Sequence, residues 1–497
     1  MGVSALFLSL RLRSIAAFAG AIALALLGAA PTARAQGDFL IDLLLNEQQE
    51  RGLAEQEHPK VLAQFGGVYE DPALQTYVQS LVDFLGQASN RPDIKYRVTI
   101  LNSPVVNAFA LPAGYLYVTR GLLALADSEA ELAGVLAHEI GHVTARHTAQ
   151  RYSRTMLAQG IVGILGSMTK GTNLAGIGNL AAPVAVLGLQ SFSRDHEHEA
   201  DLLGVQTMSR AGFDPYAMAS FLDKLNAKTS LDQRLAGQSG GQGFNLLATH
   251  PRTADRVART IAQAQGTSVR QPMTARDIYL RKVDGLLYGD DPKQGFVRGR
   301  LFAHPELDLR FEVPEGFHLL NGQKEVIAKG PNGASIKFDA AKAQGGGSPV
   351  SYLRDVWAKD LPLEALERVS INGFPGATGV LKFNDQGQAK DLRLVAIEDR
   401  GRALYRFLFV APAPVSAQLE NDFVRTAQSF GRLSHGERRD LRPRRLVLHQ
   451  VRQGESVASL SSWLPFDRER ETQFRILNGL RPGQELRPGD TVKLVVE

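Results

Sequence analysis

Ser128-Glu129-Ala130-Glu131-Leu132-Ala133-Gly134-Val135-Leu136-Ala137-His138-Glu139-Ile140-Gly141-His142-Val143 is the stretch on which the rest of the chain turns. Ser128 followed three residues later by Glu131 is a capping-box pattern and predicts a helix start. At about 100° per residue, with His138 at 0°, His142 falls near 40° and Glu139 near 100°. Leu132, Leu136, Ile140 and Val143 fall between roughly 120° and 200° on the same wheel. The two imidazoles therefore share one face, and the apolar stripe lies nearly opposite and packs on a core. One helical turn between the His residues lets both reach a single metal ion. Glu139 lies beside them, where a carboxylate can take a proton from water. This H-E-x-x-H arrangement predicts a zinc hydrolase site.

A third ligand has to come from elsewhere. The metzincin pattern requires Gly at 145 and His at 148; the chain has Ala145 and Thr148, so that class is rejected. A carboxylate from a later helix is the other solution. Ser193-Arg194-Asp195-His196-Glu197-His198-Glu199-Ala200-Asp201 offers it, with Glu197 and Asp201 one turn apart on one face. One can bind zinc while the other hydrogen-bonds a ligand imidazole from behind. Spacing favours Glu197 over Glu199 without deciding between them.

The composition narrows the chemistry further. The 497-residue chain is 44% hydrophobic and 22% charged, which excludes wholesale disorder. It has no cysteine, so disulfides, thiolate metal sites, iron–sulfur clusters and cysteine nucleophiles are excluded. Arg11 and Arg13 precede an uncharged apolar run, Ile15 to Ala30, and then Ala33-Arg34-Ala35. This pattern predicts a secretory signal peptide, residues 1–35, and hence a periplasmic protein. Cleavage would remove Arg11, Arg13 and Arg34, lowering the formal charge from +5 to +2. Nucleic-acid binding therefore has no support.

The remaining chain divides into an Ala- and Leu-rich helical block, 36–270, and a Gly/Asp/Pro-containing linker, 271–298. An α+β domain, 299–431, follows, with alternating strands such as Leu307–Val313 and Ala403–Val410. Its opening Phe311-Glu312-Val313-Pro314-Glu315-Gly316-Phe317 resembles the start of PsbP/Mog1-like domains. A basic linker, 432–445, with six Arg against two acids, leads to a small last unit, 446–497. Tyr115, Leu116, Tyr117, Val118 and Thr119 alternate as a half-exposed strand should. As an edge strand beside the zinc they would pair with an extended substrate. Met156 to Gln190 is apolar with one charge, Lys170, and is expected to form a core segment, a lid over the zinc cleft or a membrane-touching loop. His147, His196 and His198 are read as structural or surface residues.

Several further motifs carry a family resemblance over roughly 60–260. Asn107-Ala108-Phe109-Ala110-Leu111-Pro112-Ala113-Gly114 leads into Tyr115–Leu122, then come His138–His142, the Glu197/Asp201 pair, and Thr249-His250-Pro251 followed by Arg256. Together they resemble the gluzincin metallopeptidases that include HtpX and the CAAX prenyl protease, in particular their periplasmic, β-barrel assembly-enhancing protease-like branch. The resemblance implies one Zn2+ per chain held by His138, His142 and Glu197, with Asp201 behind a ligand imidazole. It implies Glu139 as general base, with His250 and Arg256 lining the site. Either could stabilise an oxyanion, and His250 could instead latch the open zinc position at rest. Misfolded or stalled envelope proteins are the implied substrates, with the outer-membrane assembly machinery as a partner.

The last unit resembles a LysM module, through His449–Val457, Ile476-Leu477-Asn478-Gly479-Leu480 and Leu486–Val492. That implies a βααβ fold, peptidoglycan binding and association with wall or membrane. The predicted fold class is thus α+β multidomain: a mainly helical zincin domain with a small edge-strand sheet, an α+β middle domain and the βααβ unit. Two rival functions stand beside the protease: a peptidoglycan-tethered chaperone or scaffold with a latent zinc site, and a zinc peptidase acting on cell-wall stem peptides.

Overall fold

Two helices, α1 (Glu47–Gln64) and α2 (Pro72–Ala88), come first among the described residues, each with a polar N-cap. Asn46 and Gln49 form a capping box on α1, and Asp71 caps α2 ahead of Pro72. The computed structural model describes residues 46–153, 191–236, 246, 250, 254–267, 269–341, 348–359, 361–385, 387–399 and 403–497. The expected signal peptide and the apolar stretch 156–190 lie outside the described residues. Among the described residues no helix is long and apolar enough to cross a membrane.

A three-stranded sheet follows, from β1 (Arg97–Leu101), β2 (Ala108–Leu111) and β3 (Tyr115–Thr119), in the order β1-β3-β2. Here the expectation of an edge strand at Tyr115–Thr119 is corrected. β3 pairs in parallel with β1 on one side and antiparallel with β2 on the other, so its backbone is committed. Nor is its outer face half-exposed. Tyr117 stacks on Phe109 with ring centres 4.9 Å apart, its hydroxyl lies 2.8 Å from His58 Nδ1, and α1 covers the pair. The outer side of β1 is closed as well, by Gln75 and Gln79 of α2, which bond the main chain of Val98 and Ile100. β2 is left as the other edge of the sheet.

After α3 (Arg120–Leu125) comes the expected helix, α4 (Glu129–Thr144), with the Ser128 hydroxyl accepting from the Glu131 N–H. Residues 130–143 are all buried, so α4 is a central helix with cover on every face. On its flanks are α5 (Arg194–Arg210), α6 (Tyr216–Ala236) and α7 (Ala254–Gln265). α4 and α5 approach unusually closely because two glycines meet the facing backbone. A Cβ on Gly141 would lie 3.0 Å from the Ala200 carbonyl oxygen, and one on Gly204 would lie 3.2 Å from the His138 nitrogen. That contact delivers Glu197 and Asp201 to the His pair.

Residues 271–298 are not a free linker. They contain α8 (Arg276–Val283), whose Tyr279, Leu280 and Val283 enter the main core, and β4 (Leu287–Tyr288). Asp291 is buried against Asn102, which also accepts from Arg120. The middle domain joins a small sheet, β5 (Phe296–Arg298), β6 (Leu301–His304) and β7 (Leu309–Glu312), to a seven-stranded antiparallel sheet. The larger sheet comprises β8 (His318–Asn321), β9 (Glu325–Lys329), β10 (Ser335–Ala341), β11 (Glu364–Ile371), β12 (Phe374–Asp385), β13 (Gln388–Asp399) and β14 (Ala403–Pro412). Its order is β11-β12-β13-β14-β10-β9-β8, and α9 (Ala413–Gln428) packs on it over a phenylalanine-rich core.

The basic segment 432–445 is pinned rather than solvated. Arg432 bonds Asp399 at 2.5 Å, Arg438 pairs with Asp308, and Arg444 pairs with Glu497 at 3.0 Å. The last unit runs β15 (Arg444–Gln450), α10 (Val457–Ser461), α11 (Arg470–Leu477), β16 (Thr491–Val496), with β15 and β16 antiparallel. It shares the peptidase core: β15 pairs with β4, and Leu446, Phe474, Leu477 and Leu494 join the cluster built around α4. Lys493 is fully buried and donates to the carbonyls of Ala124 and Ala126, at 2.9 and 2.8 Å, and to Asp127 at 2.8 Å. Lys224 of α6 pairs with the other oxygen of Asp127 and with Glu131. The last unit is thereby clamped to the residue just before the N-cap of α4.

Candidate active site

One face of α4 and the opening turns of α5 converge on a point. His138 Nε2 lies 3.1 Å from His142 Nε2 and 3.2 Å from His250 Nδ1. Glu197 Oε1 lies 2.9 Å from His250 Nδ1 and 3.4 Å from His142 Nε2. One ligand atom from each of these four buried residues falls within 4.8 Å of every other. Glu139 sits alongside, 1% exposed, with neither carboxylate oxygen hydrogen-bonded and with Oε1 3.5 Å from His250 Nε2.

The supports behind this cluster come from α5 and α7. Asp201 Oδ1 lies 2.9 Å from His138 Nδ1, which leaves Nε2 of that ring free for the centre. Arg256 grips Asp201 with two bonds, Nε to Oδ2 at 2.8 Å and an Nη to Oδ1 at 2.7 Å, and reaches Glu197 Oε2 at 2.5 Å. An oxyanion role for Arg256 is thus not what the geometry favours. Its guanidinium lies behind the two carboxylates and orients Glu197. Burial would raise Glu197, but the His250 charge and the bonds from His142 and His250 outweigh it and hold the carboxyl well below its usual range. Asp201 is likewise lowered: burial is outweighed by its bonds from Arg256 and His138. Burial pushes His142 well down, towards the neutral form a metal requires.

The donor set fits zinc on its own geometry. Four ligands at 2.0–2.1 Å in a tetrahedron stand about 3.3 Å apart. Four of the six contacts among the three ring nitrogens and Glu197 Oε1, at 2.9–3.4 Å, match that spacing, and His138 Nε2 lies 3.8 Å from Glu197 Oε2. Two imidazole nitrogens facing each other at 3.1 Å need something positive between them, a proton or a cation. Nitrogen and carboxylate donors without thiolate are the set zinc peptidases use.

Glu197, rather than Glu199, is the carboxylate brought to the His pair, and His250 and Arg256 both reach the site. Three residues with no assigned site role also border it. Phe192 stacks on His142 with ring centres 3.9 Å apart, and Arg151 lies 3.9 Å above the Phe192 ring. Burial lowers Arg151 to about 10, with the charges of Glu139 and Glu197 acting against that. His147, read as structural or surface, is buried against His142. Phe192 had no motif to betray it. Its only signal is its place one residue before Ser193, the N-cap of α5.

Comparison with known proteins agrees with this geometry. Residues 72–263 match the model of Peptidase family M48. The chain is 34% identical over 218 residues to the beta-barrel assembly-enhancing protease of Escherichia coli (strain K12), covering 43% of each protein. It is 30% identical over 215 residues to the mitochondrial metalloendopeptidase OMA1 of Schizosaccharomyces pombe, covering 42% of this chain and 59% of that one. The match to the E. coli relative thus spans less than half of its length. The cyanobacterial PsbP of Synechocystis sp. PCC 6803 aligns over 28% of this chain at 12% identity and a TM-score of 0.23. Residues 72–263 are thus a metallopeptidase domain of Peptidase family M48, its zinc site built from His138, His142, Glu197 and His250.

Proposed function

We propose that the whole chain is a zinc-dependent endopeptidase of the bacterial envelope that degrades misfolded or stalled envelope proteins. The observation that carries the reading is the buried, unbonded Glu139 carboxylate beside a complete zinc-ligand set. A buried carboxylate without a hydrogen bond is costly to maintain, and a general base is a reason to keep one. Zinc at the site supplies Lewis acidity, lowering the pKa of water and polarising a peptide carbonyl. Glu139 accepts the proton released as oxygen bonds to the carbonyl carbon, then delivers it to the departing amine. Arg256 and Asp201 hold Glu197 and His138 still through that change. His250 Nδ1 lies among the ligand atoms, so it acts as a latch on the resting site and moves aside to admit substrate. Swung out, it can donate to the oxyanion.

The envelope assignment is supported by the predicted signal peptide and by the relative whose name refers to β-barrel assembly. Beside Glu139 lies a small apolar cleft lined by Val135, Met218, Phe221, Leu222 and Leu225. Peptidoglycan tethering falls to the outer face of the last unit, where Trp463 is exposed beside His449, because the inner face is packed on the peptidase. Purified protein is expected to degrade casein and to release no muropeptides from peptidoglycan. A zinc chelator should abolish the casein activity and added zinc restore it. Muropeptide release with inert casein would turn the assignment to the wall stem peptides instead.

A further inference from the structure

His142 has two ring nitrogens, and the site needs the lone pair on one of them. Its Nε2 faces His138 and Glu197, while its Nδ1 lies 3.1 Å from Nδ1 of His147. His147 Nε2 lies 3.2 Å from Glu199 Oε2. His147 is 1% exposed, and its ring is clamped face to face by His196 at 4.2 Å and 14°. The chain returns to place it there through a left-handed turn at Arg146, φ 57°, straight after α4 ends.

The hydrogen positions follow from what each group can do. An ionised carboxylate only accepts, so the His147 proton sits on Nε2 and points at Glu199. Two N–H groups cannot face each other at 3.1 Å, so with its proton on Nε2 the His147 ring accepts at Nδ1. The proton between the two Nδ1 atoms then belongs to His142, and the His142 lone pair is left on Nε2, facing the centre. His138 obtains the same result directly, from Asp201. We propose that His147, backed by Glu199, is a positioning residue that fixes His142 with Nε2 turned to the metal. This rests on the zinc reading above and assigns a role to the carboxylate that does not bind the metal.

Zinc affinity, measured on the full chain by chelator competition, tests it. His147→Leu removes the acceptor and is expected to weaken zinc binding about 10–100-fold. His147→Asn keeps an acceptor near the Nδ1 position and is expected to stay within about threefold of wild type, a conservative rescue that mere packing would not produce. Glu199→Ala, at an exposed side chain, is expected to fold normally and to bind zinc several-fold more weakly than wild type. Unchanged affinity in His147→Leu would overturn the proposal, and so would equal losses in the Leu and Asn variants. If His147→Leu fails to fold, as judged by far-UV circular dichroism of the metal-free protein, the other two variants decide. Wild-type affinity in Glu199→Ala with a large loss in His147→Asn then overturns it. Wild-type protein that binds no zinc would sink the zinc reading itself, whereas the failures above leave that reading standing.

Discussion

Glu139→Gln is expected to lower casein hydrolysis by about 10²–10⁴-fold, the usual contribution of a positioned acid–base group. Zinc content should not change, because Glu139 lies outside the set of four converging ligand residues. Nor should the fold suffer. Glutamine fills the same volume, and the carboxylate it replaces is 1% exposed with no hydrogen bond to lose. A neutral amide costs less to bury at that depth than a carboxylate, so the melting temperature should hold or rise. The assay is steady-state proteolysis beside zinc analysis and thermal melting on the same preparation. Activity within a few-fold of wild type would remove Glu139 as the base and favour a scaffold whose zinc site is latent.

Asp127→Ala is expected to be the most damaging single change outside the zinc site. The Asp127 carboxylate is shared between two buried ammonium groups, Lys224 from α6 and Lys493 from β16. Glu131 balances the second positive charge, 2.7 Å from Lys224. Burial would raise Asp127, but the two lysines outweigh it and hold the carboxyl below its usual range. Removing it leaves two buried cations against one anion. Breaking a buried ion pair from one side typically costs about 3–5 kcal/mol. Because Asp127 immediately precedes the N-cap of α4, the damage should loosen both the last unit and the zinc helix. Urea unfolding should show the lost stability, and limited proteolysis should release the C-terminal unit. Asp127→Asn combined with Lys493→Met removes one charge of each sign and should recover part of the loss. An unfolding midpoint unchanged in Asp127→Ala would mean that the last unit is held by its apolar contacts alone.

The parts of this molecule that sequence reveals are those governed by local rules. The Ser128 capping box, the period of Leu132, Leu136 and Ile140, and the one-turn spacings of His138/His142 and Glu197/Asp201 each depend on residues a few positions apart. What stays hidden depends on distant neighbours. Tyr115–Thr119 alternates like a half-exposed strand, yet its position between β1 and β2 is set by pairings no local pattern encodes. Gly289-Asp290-Asp291-Pro292 reads as a linker, yet Tyr279, Leu280 and Val283 just before it are buried from a short helix whose other positions are largely charged. His147 reaches the site only because Arg146 takes a left-handed turn normally left to glycine or asparagine. Lys493 sits between valines and leucines, where a lone lysine reads as the wet face of a strand, but the carbonyls of Ala124 and Ala126 and Asp127 make it a buried clamp. Arg256 was tied to the site by motif, but which way its guanidinium faces follows from two carboxylates on another helix.

The decisive quantity is the metal content of the purified protein, measured by elemental analysis on wild type and on Glu197→Ala. About one zinc per wild-type chain is expected, with a large loss of zinc in the variant. Wild-type protein free of zinc under conditions that keep it folded, or full zinc retention without the Glu197 carboxylate, would contradict it.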